Sequence, residues 1–146
     1  MSSSPNPVTP GMNAAQLREF LSKPHLMDLA TISPGGYPHV TPVWFDWDGE
    51  AFLASTTRER RKAINLARNP KVGFSIADHN LPYPAVVGFG EATMNDDPKG
   101  GLLHRLAKKY LPSDQADSYF AELMRAGGSR VILRIKPIWM LSWTGE

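Results

Sequence analysis

Residues 55 to 71 read S-T-T-R-E-R-R-K-A-I-N-L-A-R-N-P-K, three hydroxyl side chains followed by six basic groups against one acid. A hydroxyl can donate to an anionic oxygen, a guanidinium can grip a phosphate through two parallel N–H bonds, and an ammonium adds a compact charge. If a strand ends in Ser55, Thr56 and Thr57 and a helix begins a few residues later, the helix's unpaired N–H groups and positive dipole end face the same spot. The chemistry on offer is anion binding, with Arg60, Arg61 and Lys62 near the helix start. The competing reading is a solvated basic helix face. The whole chain carries only +2, so the rest of it is net negative and the positive charge is concentrated here.

Other chemistries find less support. His25, His39, His79 and His104 have no H-x-H or H-x-x-x-H spacing, so no metal ligands are assigned. No serine sits in a nucleophile-elbow context, and the glycines match neither a dinucleotide fingerprint nor a Walker loop. Asp96 and Asp97, followed by Pro98, read as a helix cap more simply than as paired catalytic carboxylates. With no cysteine there is neither a disulfide framework nor a thiolate, which suits a reducing cytoplasm. The first eleven residues lack the basic and apolar regions of a secretory signal and read as a Ser/Pro/Asn-rich tail. No apolar run reaches the roughly 18 to 20 residues of a membrane span.

The second chemical cue is aromatic. P-H-V-T-P-V-W-F-D-W (38–47) reads as a strand carrying Trp44 and Phe45, and Pro42 within it cannot donate to a ladder, which marks an edge or a bulge. Unpaired backbone there could hydrogen-bond a planar heterocycle; the plainer reading makes these side chains core.

The elements that must position these groups follow from periodicity. Asn13 caps a short helix, A-A-Q-L-R-E-F-L-S, that ends before Pro24. H-L-M-D-L-A-T-I-S, the turn P-G-G-Y and the 38–47 strand form a hairpin, and Asp48-Gly49 turns the chain into a third strand over 50–56. The basic helix follows, with Ala63, Ile64, Leu66 and Ala67 on one side and Arg58, Arg61, Lys62, Asn65 and Arg68 on the other. Strands over 71–77 and 85–94 come next, the latter with Gly88 and Gly90 on one face, a sign of sharp coiling or close backbone approach. Two helices divided by Pro112 run to about Ala126, and 130–143 closes the chain as one bent strand or two. Six or so antiparallel strands with singly inserted helices predict a mainly β, α+β barrel with peripheral helices.

At this point the chain resembles the split β-barrel flavin and deazaflavin proteins, which include pyridoxamine 5′-phosphate oxidase and the coenzyme F420-dependent oxidoreductases. The resemblance is carried by L-A-T-I-S-P-G-G-Y-P-H-V-T-P-V-W-F, D-G-E-A-F-L-A-S-T-T-R-E-R-R-K-A-I-N-L-A-R-N-P-K-V and the later G-F-G-E-A. It implies one domain over 12–146 and a homodimer with cofactor at the interface. It implies a cofactor phosphate at the strand-to-helix junction, held by Ser55, Thr56, Thr57, Arg60, Arg61 and Lys62, and a ring system along Val40, Thr41, Pro42, Val43 and Trp44. The D-H-N-L-P-Y-P loop, through Asn80 and Tyr83, is expected to complete the partner's site. The R-x-K-x-x-N-L-x-x-N-P pattern is similar to the deazaflavin-using branch, and Arg58 and Arg68 suit that cofactor's acidic tail. The C-terminal I-W-M-L-S-W-T-G-E lacks the substrate-binding Arg and His of the vitamin B6 oxidases.

The resemblance therefore implies an oxidoreductase passing hydride from reduced coenzyme F420 to a conjugated organic substrate. Flavin mononucleotide (FMN) as cofactor, or a non-catalytic flavin carrier, are the alternatives. A single-stranded nucleic-acid binder is disfavoured, because the cations cluster at one junction instead of along a groove.

Overall fold

The computed structural model describes residues 11–145; the expected tail, apart from Gly11, lies outside the described residues. In chain order the elements are α1 (Ala14–Ser22), β1 (Met27–Ile32), β2 (Pro38–Val43), β3 (Asp46–Trp47), β4 (Phe52–Thr57) and α2 (Arg61–Arg68), followed by β5 (Lys71–Ala77), β6 (Ala85–Asp96), α3 (Gly101–Tyr110), α4 (Ser113–Ala126) and β7 (Arg130–Trp143). Asn13 accepts from the Gln16 amide while Gln16 reaches back to the Asn13 amide, a reciprocal cap that starts α1 where the sequence expects it. All strands pair antiparallel in one sheet, in the order β2-β1-β5-β6-β7-β4-β3.

Among the described residues there are seven strands, not six. The segment expected as one strand over 38–47 breaks at Trp44 and Phe45, and its halves go to opposite edges of the sheet. Only three Cα–Cα steps separate Val43 from Asp46, so at that point the edges stand at most about 11 Å apart. A seven-stranded sheet whose outer strands meet this closely is curled into a partly open barrel. Pro42 does lie on an edge strand, as its missing N–H requires. The C-terminal segment is a single 14-residue strand.

The break is held from outside by α3. The Tyr110 hydroxyl accepts from the Phe45 amide at 3.1 Å and donates to the His25 carbonyl at 2.6 Å, while the Lys109 ammonium donates to the carbonyls of Phe45 and Leu21 at 2.7 and 3.0 Å. These bonds satisfy backbone groups that leave the ladder where the chain switches edges. With them in place Phe45 turns fully inward, against Phe52, which in turn meets Phe74. Burial pushes the Tyr110 phenol up to about 12, so it stays a donor across the accessible range. Tyr110→Phe strands the Phe45 amide and the His25 carbonyl; urea unfolding is expected to show a loss of about 1–3 kcal/mol.

His25, stacked on Phe20 at 4.7 Å, supplies a pH dependence. Burial, above all, holds its imidazole below the ordinary 6.5; nearby Asp78 opposes this, and Lys23, Lys109 and His79 add to it. The unfolded chain then binds the proton more readily than the folded one. The associated stability is complete above pH 6.5 and is lost as pH falls through the folded value. Urea midpoints measured between pH 7.5 and 5 should fall, and His25→Gln should flatten that fall.

Candidate functional site

The barrel exterior carries a cleft of about 230 Å3 at the junction of β4 and α2. Its polar end is Ser55, Thr56 and Thr57, where β4 leaves the sheet, together with Arg60 and Lys62. Thr56 and Thr57 are buried polar residues, so their hydroxyls lie against the protein instead of open solvent. Arg60 is the extended residue preceding α2, and no side chain caps the helix. Helix geometry leaves the first amides of α2 without intrahelical carbonyls, and they add partial positive charge at this end.

One flank is the end of edge strand β2, with Pro42, Val43 and then Trp44. The indole is fixed by near-parallel stacking on Tyr110 at 5.1 Å and a tilted contact with Tyr119 at 5.4 Å. The rest of the lining is apolar, made of Leu103 and Leu106 from α3 and Tyr119 and Leu123 from α4. No carboxylate or imidazole lines the cleft among the described residues.

Charge in the segment is sorted by position. Arg58 leaves the cleft to pair with Asp96 at 2.9 Å, and Glu59 accepts from the Ser129 amide at 2.9 Å. Arg60 and Lys62 are in no ion pair among the described residues. Burial, and then the charge of Arg60, holds the Lys62 ammonium below its ordinary value. Two like charges, one half-buried, sit together without a counter-ion, an arrangement an anion would relieve. The donor set fits a phosphate.

The structure brings Pro42, Val43, Trp44, Ser55, Thr56, Thr57, Arg60 and Lys62 together. Arg61 does not join them: it is the first residue of α2, is exposed and does not line the cleft. Val40 is exposed and Thr41 half-buried on β2, short of the cleft. Asn80 and Tyr83 are exposed in the β5–β6 loop, where the Tyr83 amide donates to the Asn80 carbonyl and Trp143 donates to the Tyr83 carbonyl. They lie outside the cleft. Arg58 is engaged by Asp96, and exposed Arg68 borders a separate hollow at the β1–β2 turn, so neither joins the cleft cations. Of the two aspartates, Asp97 accepts from the first amides of α3, Gly101 and Leu102, as a cap, whereas Asp96 serves Arg58.

Asn65 is a second departure. Placed on the polar side of the helix by periodicity, it is fully buried, and its amide donates to Thr31 Oγ1 at 3.0 Å. Ile64 from the apolar set is 38% exposed instead. Residues not singled out from sequence are the α3–α4 wall and Arg130. Long-range packing places the former, and cross-strand register places the latter, opposite Thr57.

Residues 14–144 match the pyridoxamine 5′-phosphate oxidase family. Among solved structures, the chain is 32% identical to one described as an F420 reductase, covering 84% of this chain and 94% of that one, with a TM-score of 0.65. A conserved hypothetical protein from Mycobacterium tuberculosis is 26% identical, with 98% and 91% covered and a TM-score of 0.76. A heme storage protein from Vibrio cholerae, at 20% identity, shares the fold with a TM-score of 0.59, covering 84% and 88%. No curated protein matches the sequence. With a family match over nearly its whole described length and a cation-lined cleft where the third long strand meets its helix, the chain belongs to the pyridoxamine 5′-phosphate oxidase family.

Proposed function

We propose that the protein is a coenzyme F420-dependent oxidoreductase of the cytoplasm, in which the cleft at the end of β4 takes the phosphate of the deazaflavin. The observation that carries this is the convergence of Arg60 and Lys62, with no carboxylate partner, on the hydroxyl-bearing strand end. The 32% identity to a structure described as an F420 reductase supports the choice of cofactor.

At about 230 Å3 the enclosed space falls below the roughly 300–1,000 Å3 of sites that swallow a whole ligand. It suits the phosphate end, and Pro42 and Val43 on the edge of β2 are the residues that would hold the ring system. Such a ring needs a second cover, which supports a homodimer in which Asn80 and Tyr83 of one protomer complete the other's site. When bound, the reduced deazaflavin supplies the hydride for a conjugated organic acceptor. The chain's own residues anchor the phosphate, orient the ring from the edge strand and exclude water with the Leu103, Leu106 and Leu123 wall.

The second reading is a carrier that binds a flavin or deazaflavin without turnover, in keeping with the fold shared with a heme storage protein. Titration of the protein with coenzyme F420 and with FMN, read by tryptophan fluorescence, tests the cofactor, since Trp44 lines the cleft. Submicromolar binding of F420 with weaker FMN is the expected result; binding of neither would sink the proposal. Reduced F420 with a panel of conjugated acceptors then separates the enzyme from the carrier, for which no acceptor is reduced.

A further inference from the structure

Arg130 opens β7 and stands opposite Thr57 in the β4–β7 ladder, so it enters the cleft from the sheet while Arg60 and Lys62 enter from the α2 side. Its Nη1 donates to Ser55 Oγ at 3.1 Å, and this is its one side-chain hydrogen bond among the described residues. Among the described residues its Nε is buried with no hydrogen-bond partner and no carboxylate pairs with the guanidinium. An unsatisfied N–H on a permanently charged, partly buried group is costly unless a ligand satisfies it. Burial, followed by the charge of Arg60, disfavours the charged form here as it does at Lys62, while Tyr119 and Asp97 oppose this to a lesser extent.

We infer that Arg130 is the third cation of the anion site, and that the group bound between it and α2 carries at least two negative charges. This rests on the cofactor reading above and adds the ligand's charge to it. Three cations with no carboxylate in the lining put +3 there, offset in part by Asp97 beyond the lining, and a singly charged phosphodiester alone leaves much of that uncompensated. A phosphomonoester dianion, or a diester with a carboxylate next to it, matches the site better. FMN and acid-tailed coenzyme F420 both meet that requirement; riboflavin, with the same ring and no phosphate, does not. Because Arg130 is fixed in a strand pair and already oriented by Ser55, it loses little freedom on binding.

The test compares wild type, Arg130→Gln and Arg130→Lys for binding of inorganic pyrophosphate, FMN, coenzyme F420 and riboflavin by isothermal titration. Arg130→Gln is expected to weaken pyrophosphate, FMN and F420 by roughly 10- to 100-fold and to leave any riboflavin binding unchanged. Arg130→Lys, which keeps the charge and loses the fork, should fall between. If Arg130→Gln melts below the working temperature, Arg130→Lys decides alone, and wild-type pyrophosphate affinity in it overturns the inference. Pyrophosphate bound as tightly by folded Arg130→Gln as by wild type overturns it too. Should pyrophosphate binding depend on Arg130 while neither flavin nor deazaflavin binds, the anion site stands and the cofactor reading fails.

Discussion

Gly90→Ala is expected to destabilise the protein by about 3 kcal/mol, the upper end of overpacking effects, lowering the melting temperature by roughly 6–12 °C. A Cβ at Gly90 would stand 2.1 Å from the Lys136 carbonyl oxygen and 2.9 Å from both the Lys136 carbonyl carbon and the Pro137 Cα. All three are backbone atoms of β7, so no rotamer change clears them. Gly88 meets a similar obstacle, with Trp139 O at 2.3 Å and the Phe74 ring at 2.7 Å. The cause is a register shift: Phe89 pairs with Trp139 and Gly90 with Pro137, leaving Ile138 as the extra residue of a bulge that coils the long β6–β7 ribbon. Gly73, in neighbouring β5, is the control. A Cβ there would make ordinary contacts, the nearest being Ala30 Cβ at 3.8 Å, so Gly73→Ala should stay within about 1 kcal/mol of wild type, on the stable side if anything. Equal losses for both variants in thermal melts would show that glycine's general effect on the sheet, and not the close approach, sets the stability.

The contrast marks where sequence could be read and where it could not. Two glycines two residues apart in an alternating strand announce a close backbone approach, and the structure has one there. Which backbone approaches depends on Pro137 and Ile138, some fifty residues on, and no local pattern carries that register. The same division runs through the site. The order of hydroxyls, cations and apolar helix positions made the β4–α2 junction legible, because strand end, helix start and charge are all local properties. The break at Trp44 and Phe45 was not legible: alternation continues through it, and the switch between sheet edges is held by Lys109 and Tyr110 from a distant helix. Asn65 shows the limit of a helical wheel over eight residues. Its polarity placed it outward, yet hydroxyls on and just after β1 offer its amide partners, Thr31 Oγ1 and Ser33 Oγ, so it is buried where Ile64 was expected. Arg130 left no local trace, since its place beside Ser55 exists only once β7 pairs with β4.

The largest functional effect is expected from Arg60 and Lys62 together. Each supplies a charge-assisted hydrogen bond to a bound phosphate, of about 1.5–3 kcal/mol, so Lys62→Met alone should weaken coenzyme F420 or FMN roughly 10- to 100-fold. The Arg60→Ala/Lys62→Met pair should cost roughly 10²- to 10⁴-fold, with some departure from additivity because the two residues are neighbours. Stability should move the other way. In the ligand-free protein Lys62 is half-buried, and burial and Arg60 both disfavour its charge, so replacing it with a neutral side chain of similar length removes a repulsion. Ligand-free Lys62→Met is therefore expected to melt at or above the wild-type temperature, while the rise produced by saturating cofactor shrinks with the lost affinity. A residue that merely supported the helix would lower both. Raising ionic strength should weaken wild-type binding and affect the double variant much less, since the charges being screened are gone. Undiminished cofactor binding in Lys62→Met, or a ligand-free melting temperature depressed as far as that of Gly90→Ala, would overturn the assignment of this cleft as the phosphate site.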